Sequence, residues 1–260
     1  MKTNKAILAL GILSVFAFAQ ARATVIVTYA EAPGAETSSL VNASTFTFND
    51  LSAGIHTNVE WDDVGTFDKI NILAANQYGG AGNTNYAVEG LGSVSQTILN
   101  LDHSSSYFGM WWSAGDAANV LDFYSGANGT GTLLAQFTTA NLLKTLPKAY
   151  YGNPNTGTNA GKDPSEPFAF INFFATAGSS WSSVVFKNSS SSGFEGDNYT
   201  SRVAVFNSAT DGPMPGVVLE AINGTKEVYL AQAPEPNATL AMLLLGGLSA
   251  GGSCLRRFKK

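Results

Sequence analysis

The sequence predicts an all-β body, a jelly-roll-like sandwich of two antiparallel sheets. Three observations predict it. Short β-prone runs recur along the chain, turn dipeptides separate them, and stretches with a helical period are scarce. The runs are 25–29, 45–48, 86–88, 94–101, 107–112, 120–124, 133–137, 168–174, 184–187, 202–206, 217–221 and 227–231. Between them stand Gly79-Gly80, Asn128-Gly129, Asp211-Gly212 and Asn223-Gly224, pairs that reach positive φ at low cost.

Several runs are apolar on both parities. Phe168-Ala-Phe-Ile-Asn-Phe-Phe174 is apolar on both parities, so it is expected to be a central strand covered on both faces. Residues 138–148 (TTANLLKTLPK) form the one expected helix, with Thr139 as cap and Pro147 as stop. Residues 150–167 (YYGNPNTGTNAGKDPSEP) read as a long loop, a length that in a compact domain implies function or mobility. The Ser189–Ser192 run reads as a solvated loop tip.

Both ends differ from this body. Lys2 and Lys5 precede an apolar run from Ala6 to Ala19, and Ala21-Arg22-Ala23 follows. A basic start, a short apolar middle and small residues at −3 and −1 make residues 1–23 an expected signal peptide. Cleavage after Ala23 would begin the mature chain at Thr24. At the other end, residues 232–260 hold Pro234-Glu235-Pro236, an uncharged run 238–255 and a basic tail 256–260 that includes Arg256 and Arg257. As a helix the run would rise about 27 Å, close to a hydrocarbon core of ~30 Å. The basic tail would stay cytoplasmic and hold the body outside. The expected organisation is therefore 1–23 signal peptide, 24–231 sandwich and 232–260 sorting segment.

Charge follows the same division. Half of the 14 basic residues lie in the two ends, and the body keeps seven against 18 acidic residues, a net of −11. Such a body repels nucleic acid and anionic lipid. The one cysteine, Cys254, falls in the C-terminal run, so the body has no disulfide and no cysteine zinc site. His56 and His103 have no flanking catalytic or metal motif, and no catalytic residue is named.

Two segments carry candidate sites. Trp111 and Trp112 are adjacent in YFGMWWSAGDAANVLDFYSG (107–126), so on a strand they point to opposite faces. Either both are core, or one is an exposed ring for stacking on a sugar. In GFEGDNYT (193–200), Glu195, Asp197 and Asn198 offer three oxygen-bearing side chains to a structural calcium; the other reading is that Asp197 and Asn198 only shape a turn. No cofactor beyond that calcium is indicated.

The Pro-Glu-Pro triplet, the span and the basic end together resemble the PEP-CTERM sorting signal of Gram-negative bacteria. That resemblance implies recognition and cutting near Pro234–Pro236 by a membrane protease, exosortase. Segments 107–126, 150–175 and 193–200, in that order, resemble a family of exosortase-dependent surface proteins of cyanobacteria and other bacteria. The likeness runs from Gly65 to Thr200 and implies a place in the cell rather than a chemistry. It departs at Trp181-Ser182-Ser183, where a Phe-Asp pair is expected. The expected function is that of an exported surface or extracellular-matrix protein, structural or adhesive and not an enzyme. The rivals are a carbohydrate-binding module for extracellular polysaccharide and a glycoside-processing enzyme with paired carboxylates.

Overall fold

A computed structural model describes residues 24–30, 32–75, 77–140, 146–176, 178–223 and 228–229. The signal-peptide segment, Pro234–Pro236, the span 238–255 and the basic tail all lie outside the described residues. Among the described residues no helix is long and apolar enough to cross a membrane.

The body is all-β. Its strands are β1 (Thr24–Tyr29), β2 (Ser44–Phe46), β3 (Gly54–Trp61), β4 (Gly65–Leu73), β5 (Tyr86–Gly90), β6 (Gln96–Ser105) and β7 (Tyr107–Ser113). They continue with β8 (Val120–Tyr124), β9 (Leu133–Thr138), β10 (Ala169–Ala175), β11 (Trp181–Lys187), β12 (Gly193–Arg202), β13 (Val217–Asn223) and β14 (Val228–Tyr229). All join in one sheet, in the order β14-β13-β1-β10-β7-β12-β5-β4-β6-β11-β8-β9, with β2 on β12 and β3 on β4. The sheet curls into a half-barrel.

The curl follows from shared edges. β12 pairs along its length with β7, while its other edge takes β5 at Gly193–Gly196 and β2 at Tyr199–Ser201. The register shifts between Asp197 and Thr200, where Asn198 has φ 48°. A bulge of this kind bends the strand and increases its twist.

Inside the curl lies the main core. Parity selects its members: Phe108, Met110 and Trp112 from β7, Ile171 and Phe173 from β10, and Phe194 and Tyr199 from β12. Aromatic rings dominate. Phe123 meets Trp181 at 4.5 Å, Phe137 meets Phe173 at 4.7 Å, and Phe186 stacks on Tyr199 at 4.7 Å. Rings packed this way add about 0.5–1.5 kcal/mol per pair beyond their burial.

The opposite parity is also buried. Trp111, Phe168 and Phe170 pack with Ala81 and Ala114 in one outer cluster, and Tyr107 and Phe174 pack with Leu40 in another. β10 is thus buried at every residue, between β1 and β7, as its sequence predicts. Its single polar residue is satisfied. Tyr107 Oη donates to Asn172 Oδ1 at 2.7 Å, Asn172 Nδ2 donates to Thr28 Oγ1 at 3.1 Å, and Thr28 Oγ1 donates to the Pro215 carbonyl at 2.6 Å. Gly109, opposite Asn172, makes this bridge possible: a Cβ there would stand 2.4 Å from Tyr107 Oη.

Some expectations need correcting. Residues 203–206 are not strand; β12 ends at Arg202, whose guanidinium forks onto Asp211 at 2.7 and 3.1 Å. Of the expected helix 138–148, Thr138 closes β9, Thr139 and Ala140 are helical, residues 141–145 lie outside the described residues, and Lys148–Tyr150 forms one 3₁₀ turn. β3 and β4 have no counterpart among the expected runs.

Two-sided burial of β10 has a measurable consequence. Phe170 and Phe173 face opposite sides and are both fully buried. Truncating either to Ala is expected to cost about 3–5 kcal/mol. Urea unfolding measures it, and a loss under about 1 kcal/mol at Phe170 would mean that its face is open.

Candidate functional site

The outer face of β5, β12, β7 and β10 is roofed by three loops, and the candidate site lies beneath that roof. Segment 74–85 crosses first. Gly79 lies directly on the sheet, where a Cβ would come within 2.7 Å of Glu195 Cβ. Its neighbours are tied down by Asp197, which accepts from Ala81 N at 2.9 Å and from Thr84 Oγ1 at 2.7 Å. A second loop enters through Glu36, whose Oε1 accepts from Gly82 N at 2.7 Å and whose carbonyl accepts from Asn198 Nδ2 at 2.9 Å. The long loop 151–167 is the third. Asn153 Nδ2 donates to the Tyr78 carbonyl at 3.1 Å and Asn155 Nδ2 to the Gly80 carbonyl at 2.8 Å. Asparagine is abundant in this loop because its amide replaces the backbone partners that irregular chain lacks.

The three sequence-predicted calcium ligands therefore have different surroundings. GFEGDNYT is not a turn; it is the first eight residues of β12, buried throughout. Asp197 accepts three hydrogen bonds, the third from Asn198 N at 2.6 Å. Its carboxyl works as a clip for the roof. Asn198 sits at the bulge with its amide on Glu36. Only Glu195 keeps an oxygen, Oε2, without a partner, and it is only 5 % exposed. Among the described residues no three His, Cys, Asp or Glu side chains stand at the spacing of a metal-ligand set.

The tryptophans are corrected as a sugar platform. Trp111 is 0 % exposed in the outer cluster and Trp112 is 1 % exposed against Phe194 at 4.7 Å. Both faces of β7 are covered, so neither ring meets solvent. Tyr78, 53 % exposed on the roof, is the aromatic residue among the described large apolar side chains that stays open.

The site's electrostatics are those of buried acids. Burial pushes the Glu195 carboxyl up to about 8, and the negative charges of Asp116, Glu166 and Glu89 push the same way. Burial raises Asp197 to about 7, opposed by the hydrogen bonds from Ala81, Thr84 and Asn198. Glu89 points to the other side, since it lies opposite Phe194 in the main core. It is fully buried, and burial raises it to about 8 despite the Thr97 hydroxyl beside it. Glu89 and Glu195 are thereby held mainly neutral at pH 7, whereas Asp197 is about half ionised there. Sequence reading passed over Glu89; its signal was a lone acid inside the strand run YAVEG.

The histidines lie elsewhere. His56 Nε2 meets the Ser52 carbonyl at 2.8 Å on the surface. His103 lines a cleft with Asp62, Asp63, Arg202 and Asp211. No protein-family model matches the chain, and no curated protein matches it. The resemblance to exosortase-processed proteins rests on the sequence segments that carry it.

The raised carboxyls set the pH dependence. Unfolding returns Glu89, Glu195 and Asp197 to ordinary values near 4, so the unfolded chain holds fewer protons above that pH. The stabilising contribution is full below about pH 4 and is lost as pH rises toward 8. Glu89 faces Thr97, Asp68 and Tyr199, and Glu195 faces Asp116, Glu166 and Tyr86; none is a cation that would reverse the sign. In chelator, the unfolding midpoint is expected to fall from pH 5 to pH 8.5, and Glu89→Gln is expected to reduce the fall. A midpoint that is flat or rises in wild type would contradict these assignments.

Proposed function

We propose that the chain is an exported bacterial surface or extracellular-matrix protein that acts as a structural or adhesive scaffold rather than as an enzyme. The observation that carries this reading is the contrast between body and ends. The ends hold an export-type leader with Ala21 and Ala23 and the Pro234-Glu235-Pro236 triplet with its uncharged run and Arg256-Arg257. The body is acidic and spends its aromatic rings on burial, as a durable scaffold does.

In this reading the curled sheet folds back into two packed antiparallel layers, a jelly-roll-like sandwich. The leader is removed after Ala23. The span 238–255 holds the precursor at the membrane until exosortase cuts near the triplet, and the body is released or passed to the cell surface. Pro234 and Pro236 oppose helix and keep Glu235 extended, the form a protease can grip. Extracellular polysaccharide is the partner this placement suggests, and the body's net charge of −11 argues against nucleic acid. The carbohydrate-binding alternative is favoured only by Tyr78, the open ring on the roof.

The test is the mass of the mature protein from its native host. The reading expects an N-terminus at Thr24 and loss of Arg256–Lys260. A mature chain that keeps the basic tail would overturn sorting and leave a membrane anchor. A glycan array with wild type and Tyr78→Ala decides the alternative, which requires binding that the substitution abolishes.

A further inference from the structure

Glu195 is a buried carboxyl set among acids with no counter-charge, and its surroundings define what could satisfy it. In β12 it pairs with Val88 of β5 on one side and Ser113 of β7 on the other. Residues directly opposite in antiparallel strands share a face. The Ser113 hydroxyl is fully buried and, like Glu195 Oε2, has no hydrogen-bond partner. Two adjacent orphaned oxygens in one covered position are costly, at about 1–3 kcal/mol each.

The backbone brings further acids to the same place. Leaving β7 after Ser113, the chain turns so that Gly115 N donates to the Pro167 carbonyl at 3.4 Å. Asp116 and Glu166 each stand one residue from that contact. Asp163 closes the turn before them, its carbonyl accepting from Glu166 N at 2.9 Å, and its own Oδ2 is buried without a partner. Orphaned oxygens thus come from three separate segments, and the negative charges of Asp116 and Glu166 act on Glu195 while those of Asp163 and Asp116 act on Glu166. Among the described residues no lysine, arginine or histidine forms an ion pair with Glu195, Asp116, Glu166 or Asp163.

We propose that this junction binds a divalent cation, Ca²⁺, between Glu195 and Ser113 on the sheet and Asp116, Glu166 and Asp163 on the loops above. The ligand set differs from the sequence-predicted one: Glu195 is kept, and Asp197 and Asn198 are replaced by residues from loops 114–119 and 163–167. Ca²⁺ suits the donors because it takes six to eight oxygens in irregular geometry and accepts neutral hydroxyl and water oxygens beside carboxylates. Mg²⁺ demands a tighter octahedron and suits them less. The carboxylates do not stand at ligand spacing without the ion, so binding must bring them closer together.

The proposal is independent of the export reading. The experiment is calorimetric titration of the full-length chain with CaCl₂ and separately with MgCl₂ at pH 7. Wild type is expected to bind one Ca²⁺, with Mg²⁺ at least tenfold weaker. Glu195→Gln is expected to weaken Ca²⁺ binding at least tenfold; glutamine matches the neutral acid in shape, so it keeps the fold. Asp116→Asn and Glu166→Gln, both partly exposed, test the loops without disturbing the sheet and are each expected to weaken binding. Terbium emission sensitised by Trp112, whose indole lies beside Gly115, gives a second readout that Ca²⁺ should quench by displacement. No Ca²⁺ binding in wild type overturns the proposal. So does wild-type affinity in Glu195→Gln, or in Asp116→Asn and Glu166→Gln together.

Discussion

Burial of both faces of β7, β10 and β12 is the constraint on which the rest of the structure depends. A strand covered on one side can spend alternate residues on solvent; these three cannot. Each residue must either be apolar or bring its own partner. That is why Trp111 and Trp112, consecutive in sequence, are both buried, one in the outer cluster and one in the main core. It is also why the roof exists. Without segment 74–85 and loop 151–167, Trp111, Phe168 and Phe170 would lie open to water.

The polar residues inside this covered region sort by how they are satisfied. Asn172 is answered within the sheet by Tyr107 and Thr28. Asp197 is answered from above by Ala81 N and Thr84 Oγ1, and so converts a buried charge-bearing group into the fastening of the roof. Glu89 has neither solution and is held as a neutral acid in the aromatic core. Glu195 has neither solution either, but it lies where loops carrying other acids meet. Burial costs are comparable at these sites; the difference in surroundings separates structural acids from a candidate ligand.

The all-β class and the central position of 168–174 were legible because apolar residues on both parities leave a strand no solvent face. β12 was misread for a physical reason. Gly193, Gly196, Asp197 and Asn198 are turn residues by local preference, and here that preference is spent on a bulge inside a strand whose pairing is tertiary. β3 and β4 escaped notice because Asp68, Lys69, Asn58 and Glu60 interrupt their apolar pattern on faces that are partly exposed. For the site, Glu195 was legible as an acid in a Gly-bounded segment. Its orphaned oxygen and its neighbours Ser113, Asp116 and Glu166 were not, because strand register and loop packing bring them together from about 80 residues away for Ser113 and Asp116 and about 30 for Glu166.

The fastening of the roof is the most exposed point of this account, and amide hydrogen exchange measures it directly. The account predicts slow exchange at Ala81 N–H and Asn198 N–H, the two amides that donate to the Asp197 carboxylate. In Asp197→Ala, both should exchange faster, together with the Gly152 and Gly161 amides of the long loop, while β10 stays protected. Rapid exchange at Ala81 in the wild-type protein would contradict the account, because the outer face of β7 and β10 would then be open.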